Sequence, residues 1–195
     1  MKSLRNLALV AAALLLLAGN AWPQVTVAGV KYEETGDVRG AKVQLNGAGV
    51  RYKAVFKVYA LGLYLTRKAG SPEEVIAAPG PKRISLVMLR EIESAELGKL
   101  FTRSVEDNMT RSEFSKIIPG LVRMGQVFAD QRKLVAGDTL MIDWIPGTGT
   151  VVTIKGVVQG EPFKEPEFFN AMLSIWLGKS PADWKLKDAM LGRPA

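Results

Sequence analysis

The chain has 195 residues, of which 48% are apolar and 23% are charged, and this composition is typical of a single globular domain. The sequence contains neither cysteine nor histidine. This excludes thiol nucleophiles, disulfides, thiolate or imidazole metal ligands, and serine–histidine triads. We therefore expect a binding function, or mild acid–base or electrostatic catalysis by other side chains. We expect no cofactor and no metal site.

The first 21 residues have the pattern of an export signal. Lys2 and Arg5 precede an apolar run over residues 7–18, and the small residues Gly19 and Ala21 follow. The run is well short of the roughly 20 residues that span a bilayer as a helix, although a membrane anchor is the alternative interpretation. We predict cleavage after Ala21, a mature domain over residues 22–195 with no membrane span, and a periplasmic or secreted bacterial protein.

The charge is moderately basic, with 26 basic against 19 acidic residues. The basic residues are scattered singly or in pairs such as Arg132 and Lys133, without the aromatic-interleaved basic stripe of a nucleic-acid-binding surface. We expect a general attraction for anions and no nucleic-acid partner. The pattern identifies no protein partner.

The first half of the predicted domain is rich in strands. Residues 25–38 are β-like, and a short strand over 42–45 ends at Asn46-Gly47, a pair that favours a tight hairpin turn. Residues 50–65 alternate between apolar and polar side chains and become apolar on both faces from Ala60. This predicts one long strand entering the middle of a covered sheet.

The second half mixes helices and strands. Ser71 and Pro72 begin a short helix to about Ala78, and Pro119 should break or kink the long helical stretch that begins at Ser94. The remaining predicted elements are a strand over 83–90, a hairpin of strands over 138–145 and 150–158, a helix over 166–177 ended by Gly178, and a short helix over 182–191. This order predicts one α+β domain without linkers or repeats.

Some polar residues lie where the pattern predicts a core. Ser104 and Asn108 fall on or beside the apolar stripe of the helix from Ser94. Each is either a hydrogen-bonded group at the core edge or a ligand contact. Arg51 and Tyr59 form either a solvated face of the strand or, if the sheet is covered on both sides, a buried pair that requires an anionic partner.

Three segments resemble the chalcone isomerase-like family. They are LNGAGVRYKAVFKVYALGLYL (residues 45–65), FTRSVEDNM (101–109) and FFNAMLSIWLGKSP (168–181), in family order, and the overall likeness covers about residues 25–191. The resemblance implies an open-faced β-sandwich, in which a large antiparallel sheet has helices packed on one face and a ligand cleft between them. It also favours a turn between Arg51 and Tyr59, against a single long strand.

The resemblance also implies roles for particular residues. Arg51 and Asn108 match cleft residues, and Tyr59 stands where isomerases have a threonine and non-catalytic fatty-acid-binding members have a tyrosine. Phe101 occupies the position of the catalytic tyrosine. Ile175 lies near the terminal Gly-Lys, where isomerases place a small hydroxyl residue.

These departures favour binding over catalysis. Phe101 cannot donate a hydrogen bond to a developing enolate, whereas Arg51 with Tyr59 suits a carboxylate. The leading hypothesis is non-catalytic binding of a fatty acid or similar amphipathic carboxylate in the cleft. The predicted ligand-binding residues are Arg51, Tyr59, Phe101, Ser104, Asn108 and Ile175, and the apolar lining is drawn from Phe101, Met109, Phe114, Ile175 and Trp176.

Two alternatives remain. The first is a weak isomerase or intramolecular lyase that uses Arg51, Tyr59 and Asn108 on an unsaturated carbonyl compound. A hydroxyl reaching the Phe101 position from Tyr64 or Thr102 would favour it. The second is a structural or partner-binding protein whose cleft is filled by its own side chains.

Overall fold

The computed structural model describes residues 24–193, so the predicted signal segment over residues 1–21 lies outside the described residues. The strands are β1 (Gln24–Val27), β2 (Val30–Glu33), β3 (Thr35–Val38), β4 (Ala41–Lys53), β5 (Phe56–Leu65), β6 (Lys82–Met88), β7 (Ile92–Glu93), β8 (Lys133–Leu134), β9 (Thr139–Ile145), β10 (Gly149–Ile154) and β11 (Val157–Val158). The helices are α1 (Pro72–Ala77), α2 (Ser94–Glu106), α3 (Arg111–Ala129), α4 (Pro166–Leu177) and α5 (Trp184–Met190).

A seven-stranded antiparallel sheet organises the domain, with strand order β11-β10-β9-β6-β5-β4-β3. The long β5 lies inside the sheet between β4 and β6. Two small hairpins, β1–β2 and β7–β8, lie outside this sheet. The predicted α+β class with a large antiparallel sheet is confirmed.

The two faces of the sheet carry different apolar layers. Along β5, Leu61 and Leu63 belong to the main core, which also contains the buried faces of α2, α3 and α4. Ala60 and Tyr64 point to a smaller cluster on the opposite face, where Tyr32 of β2 covers the sheet. Side chains alternate along a strand, so successive residues of β5 enter the two layers in turn. The strand is therefore buried on both faces, as the apolar run from Ala60 predicted.

The path of β4 and β5 corrects two predictions. Asn46 and Gly47 do not form a hairpin turn, because β4 passes through them with a β-bulge. Residues 50–65 are not one strand either. The chain reverses at Ala54 and Val55, with Ala54 in the left-handed region at a φ of 53°. This reversal is the turn that the family resemblance favoured.

Long-range hydrogen bonds explain the bulge. The Asn46 amide donates to the carbonyl oxygens of Ala69 at 2.9 Å and Met190 at 2.7 Å, and its own oxygen accepts from the Ala69 amide at 2.7 Å. Its polar groups are therefore satisfied by distant segments instead of by a local turn.

The glycines of β4 support helix α5. A Cβ atom at Gly47 would overlap the carbonyl oxygen of Ala189, and one at Gly49 would lie 2.7 Å from the Cβ of Ala189. Only glycine lets the helix backbone approach the strand this closely. These contacts hold α5 against β4, the strand that carries Arg51.

Most predicted helix boundaries are confirmed, but the predicted long helix from Ser94 is two helices, since α2 ends at Glu106 and α3 begins at Arg111. Pro119, which was predicted to break or kink this stretch, does not break it. Helix α3 runs through Pro119, whose missing N–H removes the hydrogen-bond partner of the Ser115 carbonyl. Both residues are exposed, so water can satisfy that carbonyl. Ser71 caps α1 and Gly178 ends α4 as predicted.

The predicted strand over residues 150–158 is divided in the structure. It forms β10 and the short β11, because the chain turns at Lys155 and Gly156, which both have positive φ.

Among the described residues, no helix is both long and apolar enough to cross a bilayer.

Candidate functional site

A cavity of about 420 Å³ lies between the sheet and helices α2, α3 and α4. This volume is in the range of small-molecule sites, roughly 300–1,000 Å³. Its walls are mainly apolar and include Leu86, Leu140 and Ile142 from the sheet and Phe101, Met124 and Met172 from the helices. The protein's own side chains therefore do not fill the cleft, which disfavours the structural interpretation left open by the sequence.

Strand pairing brings the two predicted head-group residues together. Arg51 of β4 and Tyr59 of β5 are direct cross-strand partners, and both line the cavity. Directly opposed residues have their Cβ atoms about 5 Å apart on the same face of a sheet. The turn at Ala54 therefore creates the pair that one long strand would have kept apart.

Trp176 positions the Tyr59 hydroxyl. The indole Nε1–H of Trp176 donates to the Tyr59 oxygen at 2.8 Å, and Tyr59 is only 7% exposed. Burial raises the pKa of Tyr59 above its ordinary value, although the Trp176 hydrogen bond and the nearby Arg51 act in the opposite direction. The phenol stays neutral and its proton has no acceptor among the described residues, so it can donate to a ligand.

Arg51 is the partly buried cation of the site. Its guanidinium donates to the carbonyl of Tyr52, and within residues 24–193 no carboxylate lies within 4.0 Å of it. The acidic residues that line the cavity are paired elsewhere: Glu96 with Lys53 at 3.2 Å, and Glu91 with Lys133 at 2.9 Å. Arg51 thus keeps N–H donors for an anionic group.

Three other predicted ligand-binding residues also line the cavity, namely Phe101, Ser104 and Ile175. The Phe101 ring meets the Phe128 ring edge to face, with centroids 5.6 Å apart, and forms part of the apolar wall. Ser104 is partly buried on the same helix. The structure therefore brings five of the six predicted residues to one cavity, counting Arg51 and Tyr59.

Asn108 lies elsewhere. Its amide donates to the carbonyl oxygens of Ser104 at 2.8 Å and Ser180 at 2.9 Å, and its oxygen accepts from the Ser180 amide at 2.7 Å. It is absent from the cavity wall. Of the two interpretations from sequence, the structure favours a hydrogen-bonded core-edge amide, which ties the end of α2 to the segment after α4.

Several other sequence-derived candidates lie outside the cavity. Met109 and Phe114 pack against the main core without lining the cavity wall. Tyr64 lies in the opposite layer of the sheet and donates to the Glu33 carbonyl at 3.1 Å, while Thr102 lines a separate groove between α2 and α3. Neither hydroxyl lines the cavity in which Phe101 lies.

Sequence reasoning missed two features of the site. Trp176 was predicted only as apolar lining, because an indole at helical spacing gives no signal of its hydrogen-bond partner. Arg90 follows β6 and lines the cavity, with its guanidinium carbon 5.1 Å from the Phe56 ring centroid.

In the described part of the chain, acidic side chains form no cluster of three or more that would hold a metal ion.

A model of the chalcone isomerase-like family matches residues 24–192, nearly all of the described domain. The chain belongs to the chalcone isomerase-like family. The crystal structure of a fatty-acid binding protein of Arabidopsis thaliana is similar to this family member, with a TM-score of 0.71 and 19% sequence identity. The match covers 87% of this chain and 96% of the plant chain, and at that identity it shows a shared fold. No match was found among curated proteins.

Proposed function

We propose that this chalcone isomerase-like protein binds a fatty acid or a similar amphipathic carboxylate in the cavity, without turnover. One observation carries the proposal: Arg51, which has no carboxylate partner within residues 24–193, is paired across the strands with a neutral tyrosine hydroxyl in a mainly apolar cavity. The similar plant structure is that of a fatty-acid binding protein, which supports the same ligand class.

The head-group contacts follow from the hydrogen-bond inventory. A guanidinium presents paired N–H donors that match the two oxygens of a carboxylate. The Tyr59 oxygen already accepts from Trp176, so its remaining role is to donate its proton to the ligand. Arg51 supplies the charge-assisted hydrogen bonds, and Tyr59 adds a neutral one.

The apolar walls account for the rest of the ligand. Burying a methylene group contributes about 0.8 kcal/mol, so an alkyl chain gains affinity along the surface formed by Leu140, Ile142, Met124 and Met172. Phe101 adds apolar surface where catalysis would need a hydrogen-bond donor. This favours binding over the isomerase alternative.

The proposed location is the bacterial periplasm or the extracellular space. The support is the signal-like pattern of residues 1–21, which lie outside the described residues.

Occupancy of the cavity is testable by blocking it. Ser104→Trp places a large ring inside the cavity, whereas Ser115→Trp adds the same ring on the exposed face of α3. In native mass spectrometry with palmitate, we expect one bound fatty acid per chain for the wild type and for Ser115→Trp. Ser104→Trp should bind little or none while keeping its circular dichroism spectrum. Equal palmitate binding by both variants would show that the fatty acid binds outside the cavity.

A further inference from the structure

The turn between β4 and β5 projects an apolar tip beside the cavity mouth. In this hairpin tip, defined as residues 52–57, Val55 is 81% exposed and Phe56 is 58% exposed. Lys53, Ala54 and Phe56 also line the cavity. Tight turns normally carry small or polar residues, so two consecutive large apolar side chains at this position indicate a contact surface.

Helix α2 extends the apolar surface. Leu100 lines the cavity and is 37% exposed, so it contributes to both the cavity wall and the outer surface. A contiguous exposed apolar area with a polar rim marks a site of interaction with a protein or a membrane. Here Phe56 and Leu100 belong both to the cavity wall and to the exposed surface, so the exposed apolar side chains lie at the opening of an apolar cavity.

The rim of this surface is cationic. Among the described residues, Arg51, Lys57 and Arg90 have no carboxylate within 4.0 Å. The acidic residues of the cavity mouth are already paired, Glu96 with Lys53 and Glu91 with Lys133. Asp183, whose carboxylate accepts a hydrogen bond from the Tyr52 amide at 2.9 Å, has no basic partner within 4.0 Å among the described residues. The three unpaired cations outnumber this one carboxylate, so the surface keeps an excess of positive charge that complements an anionic surface.

We propose that the hairpin tip docks onto a lipid bilayer that carries anionic headgroups. Val55 and Phe56 enter the boundary between headgroups and acyl chains, while Lys57 and Arg90 contact the headgroups. The cavity mouth then opens onto the membrane, so that an acyl ligand passes between bilayer and cavity. The transfer role rests on the proposed binding of an amphipathic carboxylate.

The shape of the tip favours a bilayer over a protein partner. A stable protein interface buries about 800 Å² on each side, which requires a broad complementary surface. A turn of Ala54 and Val55 at the end of two strands is narrow and convex. A fluid bilayer accommodates such a projection without a matching pocket, and exposed aromatic and basic side chains are typical of the bilayer interface.

The test is co-flotation of the purified chain with vesicles. One vesicle type contains phosphatidylglycerol and phosphatidylcholine in equal parts, and the other contains phosphatidylcholine alone. The test variant is Val55→Ser with Lys57→Gln, neither of which lines the cavity. The matched control is Val157→Ser with Lys164→Gln, since Val157 is 62% exposed on the far sheet edge and Lys164 is also exposed.

We expect the wild type to bind the anionic vesicles more tightly than the neutral ones. The tip variant should lose affinity by about tenfold or more, because a basic residue near an anionic surface contributes about 1 kcal/mol and valine burial adds to it. The control should stay within about twofold of the wild type. Absence of vesicle binding, or equal losses in both variants, would overturn the docking proposal.

Two further measurements separate the possible outcomes. Titration with soluble octanoate tests ligand binding without any membrane, so that octanoate binding without vesicle binding refutes docking and leaves the proposed function intact. Vesicle binding without octanoate binding would support docking and remove the transfer role. A third outcome is that the wild type forms dimers and binds no vesicles, while the tip variant is a monomer. This would show that a second copy of the chain covers the tip, and it would overturn the membrane assignment.

Discussion

The Tyr59–Trp176 hydrogen bond is the contact that gives the site its chemistry. An indole N–H only donates, so its partner oxygen becomes an acceptor there and the phenol proton is directed elsewhere. The sequence predicted Arg51 and Tyr59 through their family positions, but no local pattern connects residue 59 to residue 176. Such a partner becomes visible only when the sheet and α4 have been packed together.

A second buried tyrosine makes stability depend on pH. Burial raises the pKa of Tyr64 to about 12, from an ordinary value of 10.0, although the nearby Arg83 acts in the opposite direction. Between these values the unfolded chain loses the phenol proton and the folded chain keeps it, so stability falls as pH rises through this window. We expect Tyr64→Phe to reduce that fall.

The measurement is urea unfolding from pH 9 to pH 12, with Tyr52→Phe, which changes an exposed tyrosine, as the control. Tyr64→Phe should lower the free energy of unfolding at pH 9 by about 1 kcal/mol, because the Glu33 carbonyl loses its partner. It should nevertheless show a shallower decline at higher pH. Identical declines in the wild type and in Tyr64→Phe would show that Tyr64 does not contribute to the loss of stability at high pH.

At the level of elements, local signals failed wherever distant contacts outweighed them. Asn46-Gly47 has the sequence of a hairpin turn, but the Asn46 side chain forms its hydrogen bonds with the backbone of Ala69 and Met190. These bonds hold the pair inside β4. The true turn at Ala54 and Val55 carries no glycine, proline or asparagine, so alternation alone could not find it. Helix caps such as Ser71 were predicted correctly because their chemistry is local.

The contact between β4 and α5 makes a stability prediction. Gly47→Ala places a Cβ atom on the Ala189 carbonyl oxygen, and because this atom belongs to helix backbone, the helix must shift. Overpacking of this kind costs about 3 kcal/mol, equivalent to a fall in Tm of roughly 6 °C or more. Gly36→Ala, whose Cβ would lie 3.6 Å from Val43, should change Tm little. Differential scanning calorimetry measures the Tm of both variants. Equal Tm values would contradict the close contact between the α5 backbone and Gly47.

At the level of the whole molecule, the sequence predicted the class of fold but not its strand order. Composition and periodicity predicted one α+β domain, and the family resemblance added the large antiparallel sheet with helices on one face. The order β11-β10-β9-β6-β5-β4-β3 depends on pairings between segments far apart in the chain, such as β6 with β9. Local propensities carry no information about such pairings.

The export prediction concerns the N-terminal segment, outside the described residues. Gly19 and Ala21 are the small residues that a signal peptidase requires, so we predict that the exported chain begins at Trp22. Intact mass spectrometry of protein recovered from the periplasm or the medium of a bacterium that expresses the full chain measures this directly. A periplasmic chain that keeps residues 1–21 would show that the segment is not a cleaved signal.

The most direct test of carboxylate binding compares a fatty acid with the alcohol of the same chain length. A charge-assisted hydrogen bond contributes roughly 1.5–3 kcal/mol, so Arg51→Ala should weaken binding of the acid by about 10- to 150-fold. Tyr59→Phe should weaken binding of the acid less. The affinity for the uncharged alcohol should change little in Arg51→Ala. Fluorescence titration of the wild type and both variants measures these affinities. Equal losses of affinity for acid and alcohol in Arg51→Ala would show that Arg51 supports the fold and does not bind a carboxylate.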